Sequence, residues 1–308
     1  MTHLELQHRY GFERLGQSAR AGGQSACRML GRLPPTALMV LSIVSVQLGS
    51  ALATRFFATL GPAGTAFVTA LFSAAMLSVL APPHFHDVGV RQSGVAVMLG
   101  ATLAAMELPF FLSLQYLPLG IASTITFLGP LAVSLLASRE KSHYVSAVLA
   151  IVGITLLAPA ANGNLAPLGL GLAMTSAVAW AGFAPVSKRA NSVFHGNSGL
   201  TVGMWIAAAI LFPVAIAEGR ITHARPVEIA SVVCVSFLGS VCPVALEYRA
   251  LRAMSVRAYG ILLSLEPAVA VVVGAIFLSQ EIGMQAWLAV ACITAAALVV
   301  TLTQRSDG

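Results

Sequence analysis

Apolar stretches of about 20 residues, separated by short polar breaks, occupy the chain from Pro35 onward. A helix of that length crosses the hydrocarbon core of a bilayer. The alternation at every second residue that a membrane barrel requires is absent, and an unbroken run such as Ala268 to Leu278 satisfies its backbone groups in lipid only as a helix. The pattern predicts an all-α membrane protein with ten transmembrane helices. The predicted spans are Thr36 to Thr54, Ala63 to Ala81, Gly94 to Gln115, Leu119 to Ala137, His143 to Ala160, Pro167 to Ser187, Ser198 to Ala217, Val227 to Tyr248, Ala258 to Ser279 and Met284 to Thr303.

The composition agrees with this interpretation. Only 9% of the 308 residues are charged and 57% are hydrophobic, whereas about a quarter of the residues in an ordinary globular domain are charged. Because the spans use nearly everything after Pro35, no soluble domain is expected. The four cysteines show neither CxxC nor Cys/His spacing and are interpreted as small apolar fillers. We therefore expect no cofactor and no metal site.

The polar residues 1–34 are predicted to form a cytoplasmic tail. They carry five arginines and lack an apolar core ahead of a cleavage site, so they do not resemble a signal peptide. Met29 lies just before the first span and is an alternative start of translation to Met1.

Basic residues predict the orientation of the chain. With the N-terminus inside, 14 of the 17 lysines and arginines fall in cytoplasmic segments, and the outer loops keep Arg55, Arg220 and Arg225. This excess marks the cytoplasmic face, and an even number of spans brings the C-terminus to the same side. The net charge of +6 is thus explained by topology, and no nucleic-acid partner is expected.

The two halves of the chain resemble one another. Leu117 to Leu135 align with Met254 to Val272 at a constant offset that places Pro130 on Pro267 and pairs span four with span nine. Residues 35–160 and 161–304 then form two five-helix repeats, which an odd helix number forces into opposite orientations. Such inverted repeats typify secondary transporters, whose substrate site lies near the midplane between the halves.

Specific segments resemble a known family. SVQLGSALA in span one, YLPLGIASTITFLGPLAVSL, AVAW in span six and LLSLEPAVAVVVGAIFLSQE are similar to the signature segments of the drug/metabolite transporter superfamily. Within it, the chain most resembles the EamA-type threonine and homoserine exporters of bacterial inner membranes, from Pro35 to about Thr303. The resemblance implies a ten-helix basket in which helices five and ten lie outside a central cavity, and it implies export of small amino acids driven by proton exchange. Where those exporters usually have a glutamate in helix four and an arginine in helix two, this chain has Thr126 and Val68.

Two acidic residues, Glu107 and Glu266, lie away from the ends of the predicted helices. A carboxylate near a helix centre costs about 2.5 to 3.5 kcal/mol on insertion scales, so it usually faces a cavity or a partner. A poorly solvated carboxyl without a nearby cation favours its protonated form, which makes Glu266 the candidate proton-coupling residue. The alternative for Glu266 is a neutral hydrogen bond between helices. For Glu107 a further alternative is that it faces a hydrated opening at the protein surface. Glu247, beside Arg249 and Arg252, is expected to form an ion pair at the cytoplasmic edge.

Polar and aromatic groups at depth complete the predicted substrate site. Besides the two glutamates, its candidate members are Gln47, Thr126, Trp180, Tyr259 and Ser264. The alternative for each is hydrogen bonding between helices. Pro130 and Pro267 are predicted helix breaks, because each lacks an N–H and disrupts the bond to the carbonyl four residues earlier. Such a carbonyl binds a substrate ammonium group where it lines a cavity; otherwise the proline only shapes packing.

Two other classes of protein fit the sequence less well than a transporter. An intramembrane enzyme is disfavoured because the chain lacks HExxH, GxSxG, a Walker loop and paired aspartates within the spans. A membrane scaffold gives no reason for carboxylates at depth or for an inverted repeat. The predicted function is therefore an inner-membrane secondary transporter that exports small amino acids in exchange for protons. Its alternative substrates are another small metabolite or a drug-like cation.

Overall fold

A computed structural model describes residues 33–80, 90–137, 142–160, 166–194, 198–251, 253–281 and 283–303. Within these ranges the chain is helical and contains no strand, so the all-α prediction is confirmed. The predicted tail, including Met29, lies outside the described residues. The α-helices are α1 (Pro35–Thr54), α2 (Gly61–Leu80), α3 (Val90–Ser113), α4 (Leu119–Ala137), α5 (Ser142–Ala160), α6 (Ala166–Val193), α7 (Ser198–Glu218), α8 (Pro226–Ser236), α9 (Cys242–Leu251), α10 (Val256–Leu263), α11 (Glu266–Leu278) and α12 (Met284–Thr303).

Every predicted span coincides with one or more of these helices. Among the described residues, eight helical segments are long and apolar enough to cross a membrane, and they correspond to spans one to four and six to nine. Span ten contributes a shorter apolar stretch, Met284–Val299, and span five is not among the eight. The chain is thus a helical membrane protein, while the total of ten spans stays a prediction.

Span eight is interrupted by a π-helical turn, Phe237–Val241, between α8 and α9. Pro243 has no N–H to donate to the carbonyl of Gly239, which removes one rung of the helical ladder and favours a wider turn. The Leu238 carbonyl, within this turn, accepts a hydrogen bond from Ser45 Oγ of α1 at 2.7 Å. The widened turn is therefore fixed to the first helix of the chain.

Span nine is divided into α10 and α11 at Ser264 and Leu265. The backbone tightens there, since Leu265 N bonds the carbonyl of Leu262, three residues earlier, at 3.0 Å. Pro267 follows at once and cannot donate to the Leu263 carbonyl. Span four behaves differently, because α4 continues through Pro130 as one helix. The proline expected to break span four therefore lies inside an uninterrupted element.

Helices from the first half of the chain pack against helices from the second half. α1 contacts α9, α3 contacts α6, α2 contacts α7, α4 contacts α11, and α5 contacts α12. α1 approaches the π-helical turn closely at Gly49 and Gly239, where a Cβ added to Gly49 would lie 2.6 Å from Gly239 N. These contacts bring α1 and the π-helical turn to the wall of a central cavity.

Candidate functional site

A central cavity of about 270 Å³, here called the deep cavity, lies between the helices. Its walls come from α1 to α4, α6, α7, α8, the π-helical turn and α11. Within the described ranges, α5 and α12 contribute none of the lining residues. The predicted site residues that line it are Gln47, Glu107, Thr126, Trp180 and Glu266.

Gln47 and Glu266 meet in the deep cavity. Gln47 is 2% exposed, and its Nε2 donates a hydrogen bond to Glu266 Oε1 at 3.4 Å. The amide oxygen of Gln47 accepts from Ser123 Oγ at 3.3 Å, which fixes the orientation of the amide. Glu266 is the first residue of α11, where the helix dipole favours negative charge. The carboxylate thus has an amide donor and a helix N-terminus on one side and the cavity on the other.

Glu107 reaches the deep cavity from α3, on the opposite half of the sequence from Glu266. Thr126 is 7% exposed and donates its hydroxyl hydrogen to the Ala122 carbonyl of its own helix at 2.9 Å. Trp180 packs edge-on against Phe127, with ring centroids 6.2 Å apart. The cavity therefore combines two carboxylates with a rigid aromatic wall.

A second cavity of about 650 Å³, here called the vestibule, adjoins the deep cavity and shares Val46, Trp180 and Glu266 with it. Pro130 and Tyr259, both predicted site residues, line the vestibule and not the deep cavity. The ends of α6, α9 and α10 surround it. Glu266 therefore lines two adjoining spaces, the deep cavity and the vestibule.

Two predicted site residues lie apart from these spaces. Ser264 is fully buried and donates its hydroxyl hydrogen to the Ile261 carbonyl at 2.6 Å. Pro267 is buried within α11. Neither lines the deep cavity or the vestibule, so both contribute to the shape of span nine at the bend before Glu266.

The structure adds residues that the sequence analysis missed. Thr69 of α2 lines the deep cavity, and its hydroxyl has no hydrogen-bond partner within the part of the chain that the structure describes. Gly239 and Ser240 of the π-helical turn line it as well. Pro243, four residues after Gly239, is the sequence feature that marks this turn; nothing in the sequence around Thr69 singles it out.

Glu247 has hydrogen-bond partners that the sequence analysis did not name. Its carboxylate accepts hydrogen bonds from Ser42 Oγ at 2.8 Å and from Tyr259 Oη at 3.4 Å, and it lines the vestibule. Arg252, one of its expected partners, lies outside the described residues. Glu247 is thus tied to residues of α1 and α10 and faces the same space as Tyr259.

The end of the molecule opposite the vestibule is closed by bonds between the two halves. Arg55 Nη2 donates to the Phe277 carbonyl at 3.1 Å, and Leu119 N donates to Gln280 Oε1 at 3.0 Å. Glu218 Oε2 accepts from Ala63 N at 3.0 Å at the start of α2. Ser279, with φ of 51°, ends α11 in the left-handed conformation and turns the chain so that Gln280 reaches α4. These bonds join the two halves of the chain at the end that contains Arg55 and Gln280.

Comparison with known proteins identifies the family. Residues 167–302 match the model of the EamA-like transporter family. The chain is 31% identical over 277 residues to the threonine/homoserine exporter RhtA of Escherichia coli K12, covering 89% of this chain and 93% of RhtA. The chain belongs to the EamA-like transporter family. The RhtA protein of Salmonella typhimurium LT2 is equally similar, at 31% identity with the same coverage.

The predicted resemblance to EamA-type proteins is thereby confirmed, and the chain is a transmembrane transporter of that family. The fold of this EamA-like protein also matches a solved structure described only as "Crystal structure of protein", with a TM-score of 0.58 and 19% sequence identity. That match covers 88% of this chain and 98% of the other. At this identity the likeness concerns the fold alone.

Proposed function

We propose that this EamA-like transporter exports small amino acids such as threonine and homoserine across the bacterial inner membrane in exchange for protons. The names of the relatives, threonine/homoserine exporters, support the substrate class. The composition of the deep cavity supports it as well, because carboxylates suit an ammonium group and the unpaired Thr69 hydroxyl suits a hydroxyl-bearing side chain.

One observation carries the proposal: Glu266 lines the deep cavity with Gln47 as its neutral hydrogen-bond partner. No arginine or lysine lines the deep cavity among the described residues, so the carboxylate is available either to a proton or to a substrate ammonium group. The two occupants exclude one another at a single carboxyl. A proton that arrives from outside therefore displaces an amino acid toward the outside, which is antiport.

The helix contacts support a ten-span arrangement of two inverted repeats, residues 35–160 and 161–304. If span one is equivalent to span six, the contact of α1 with α9 has its counterpart in the contact of α6 with α3. Spans two, four and five each contact their own equivalents, seven, nine and ten. This is the pattern that a two-fold axis between the repeats requires. An inverted pair also gives alternating access around one central site.

The orientation follows from the basic residues. The vestibule contains Lys188, one of the residues predicted to lie at the cytoplasmic face, and the closed end contains Arg55, predicted to lie outside. With both termini in the cytoplasm, the vestibule faces the cell interior in this proposal. An amino acid enters from the cytoplasm through the vestibule and leaves when the opposite end opens.

A drug-like cation is the second candidate substrate. Trp180 forms a wall shared by both spaces, and aromatic faces together with carboxylates bind organic cations. Such a substrate makes no use of the Thr69 hydroxyl, and this is why we favour an amino acid.

Counterflow into proteoliposomes tests the choice. Vesicles preloaded with unlabelled threonine are expected to accumulate labelled threonine and homoserine, and an excess of a quaternary ammonium compound is expected to leave that uptake unchanged. Accumulation of the labelled cation without accumulation of either amino acid would contradict the proposed substrate class. As a control, Glu281→Gln removes a carboxylate at an exposed position outside both cavities and is expected to leave the counterflow unchanged.

A further inference from the structure

Glu247 of α9 is a second acidic group on the substrate path, separate from the deep cavity. Ser42 of α1 and Tyr259 of α10 hold one carboxylate oxygen each, at 2.8 Å and 3.4 Å. A carboxylate accepts about four hydrogen bonds in all, so a held Glu247 keeps acceptor sites for another donor. The side chain is partly buried, and it lines both the vestibule and an adjoining cavity of about 410 Å³. Its free acceptor sites are therefore reachable from water.

A positive group lines the same vestibule. Lys188, near the end of α6, is exposed and belongs to the vestibule wall together with Asn191, three residues later. The lysine ammonium is a point charge with three donors on a flexible four-carbon stem, so it adapts to a ligand without fixed geometry. The vestibule thus has an acidic side chain held in place on one helix and a mobile basic side chain on another.

We propose that the vestibule is a separate entry site for a zwitterionic amino acid, in which Glu247 binds the α-ammonium group and Lys188 binds the α-carboxylate. This inference rests on the proposed function, since the ligand is the transported substrate. A zwitterion satisfies both side chains at once, whereas a simple cation or anion leaves one of them unpaired. Because Lys188 is exposed, solvent screens its attraction for a ligand, and a weak contact suits a site that releases its ligand.

The entry site and the deep cavity share a wall, because Glu266 lines the vestibule as well. A substrate that moves from Glu247 toward the deep cavity therefore next meets the carboxylate of Glu266. The two acidic residues have different roles: Glu247 binds the entering substrate, and Glu266 couples its release to a proton. Loss of Glu247 is expected to affect the concentration needed for half-maximal transport, while proton coupling at Glu266 remains.

Threonine uptake into inside-out membrane vesicles measures entry from the vestibule side. We expect Glu247→Gln and Lys188→Gln each to raise the half-saturating threonine concentration by about three- to tenfold, with the maximal rate within about twofold of wild type. Arg189→Gln, at the exposed neighbour of Lys188 that does not line the vestibule, is the matched control and is expected to leave both values unchanged. A pH gradient still drives transport in all three variants.

Competition by threonine analogues tests which side chain binds the ammonium group of the substrate and which binds its carboxylate. N-acetylthreonine lacks the ammonium group and threonine methyl ester lacks the carboxylate. Glu247→Gln is expected to reduce the ratio of the affinity for threonine to that for N-acetylthreonine. Lys188→Gln is expected to reduce the ratio of the affinity for threonine to that for the methyl ester. A change of both affinity ratios by the same factor in both variants would overturn the assignment.

The outcomes separate this inference from the proposed function. Unchanged half-saturation in Glu247→Gln and Lys188→Gln, with threonine still transported by the wild type, refutes the entry site alone. A wild type that transports neither threonine nor homoserine refutes the proposed function and the entry site with it. If Glu247→Gln fails to insert into the membrane, Glu247→Asp and Ser42→Ala test the entry site instead. Each displaces the carboxylate and is expected to raise the half-saturating threonine concentration by a smaller factor. No rise in either of them refutes the entry site.

Discussion

Gly49 permits α1 to pack directly on the π-helical turn beside the deep cavity. A Cβ added at this position would lie 2.6 Å from Gly239 N and 2.7 Å from Gly239 Cα, whereas ordinary contact begins at 3.4 Å. Both neighbours are backbone atoms, so no change of rotamer relieves the clash. The Gly49→Ala substitution therefore forces the two helices apart.

The magnitude follows from two opposing effects. Overpacking a well-packed contact costs about 1 to 3 kcal/mol, and alanine regains up to about 1 kcal/mol over glycine in helix propensity. We expect a net loss of about 1 to 2 kcal/mol in the free energy of unfolding. Gly171→Ala in α6 is the matched control, because an added Cβ there meets nothing within 4 Å. It is expected to be neutral or slightly stabilising.

Thermal unfolding of the purified protein in detergent, followed by tryptophan fluorescence, compares the two variants. Gly49→Ala is expected to unfold several degrees below Gly171→Ala and to transport threonine more slowly, because Gly49 and Gly239 both line the deep cavity. An unfolding temperature for Gly49→Ala equal to or above that of Gly171→Ala would refute the close approach of α1 and the π-helical turn.

Other predictions concern selectivity, alternating access and topology. Thr69→Val is expected to lower the preference for threonine over valine by about three- to tenfold, and an unchanged preference contradicts a contact with the substrate hydroxyl. The control, Ser73→Ala, removes another buried hydroxyl without a partner among the described residues, but outside the deep cavity, and is expected to leave the preference unchanged. Gln280→Ala removes the bond to Leu119 and is expected to expose a Gln47→Cys thiol to a water-soluble reagent added from outside; unchanged protection speaks against this closure. Alkaline phosphatase fused at position 222 is expected to be active and at position 305 inactive, and the reverse result excludes the proposed orientation.

The helices were largely predictable because their apolar length alone demands them. Span four was predicted to its end residues, Leu119 and Ala137. The π-helical turn of span eight was not predicted, and of the breaks expected at Pro130 and Pro267 only the one in span nine occurs. A proline within an apolar run permits a kink, a π-helical turn or a continuous helix. Packing decides among these: Ser45 donates a hydrogen bond to the Leu238 carbonyl in the turn before Pro243, whereas α4 accommodates Pro130 without interruption.

The candidate site was predictable only in part, for a similar reason. Glu107 and Glu266 stand out because an acidic residue within an apolar span needs a cavity or a partner. The hydrogen bond between Glu247 and Ser42 was not predicted, because it joins residues 205 positions apart in the sequence. Periodicity and composition contain no information on such a pair.

Proton-driven threonine transport by Glu266 variants tests the central claim most directly. In proteoliposomes loaded with labelled threonine, an imposed proton gradient drives efflux by the wild type, because a proton and the substrate ammonium group compete for one carboxyl. Glu266→Gln cannot exchange a proton and is expected to lose the response to the gradient, while Glu266→Asp keeps part of it and Glu281→Gln keeps it fully. If Glu266→Gln, inserted at wild-type levels, exports threonine along the gradient as fast as the wild type, Glu266 has a structural role and the proposed antiport mechanism is wrong.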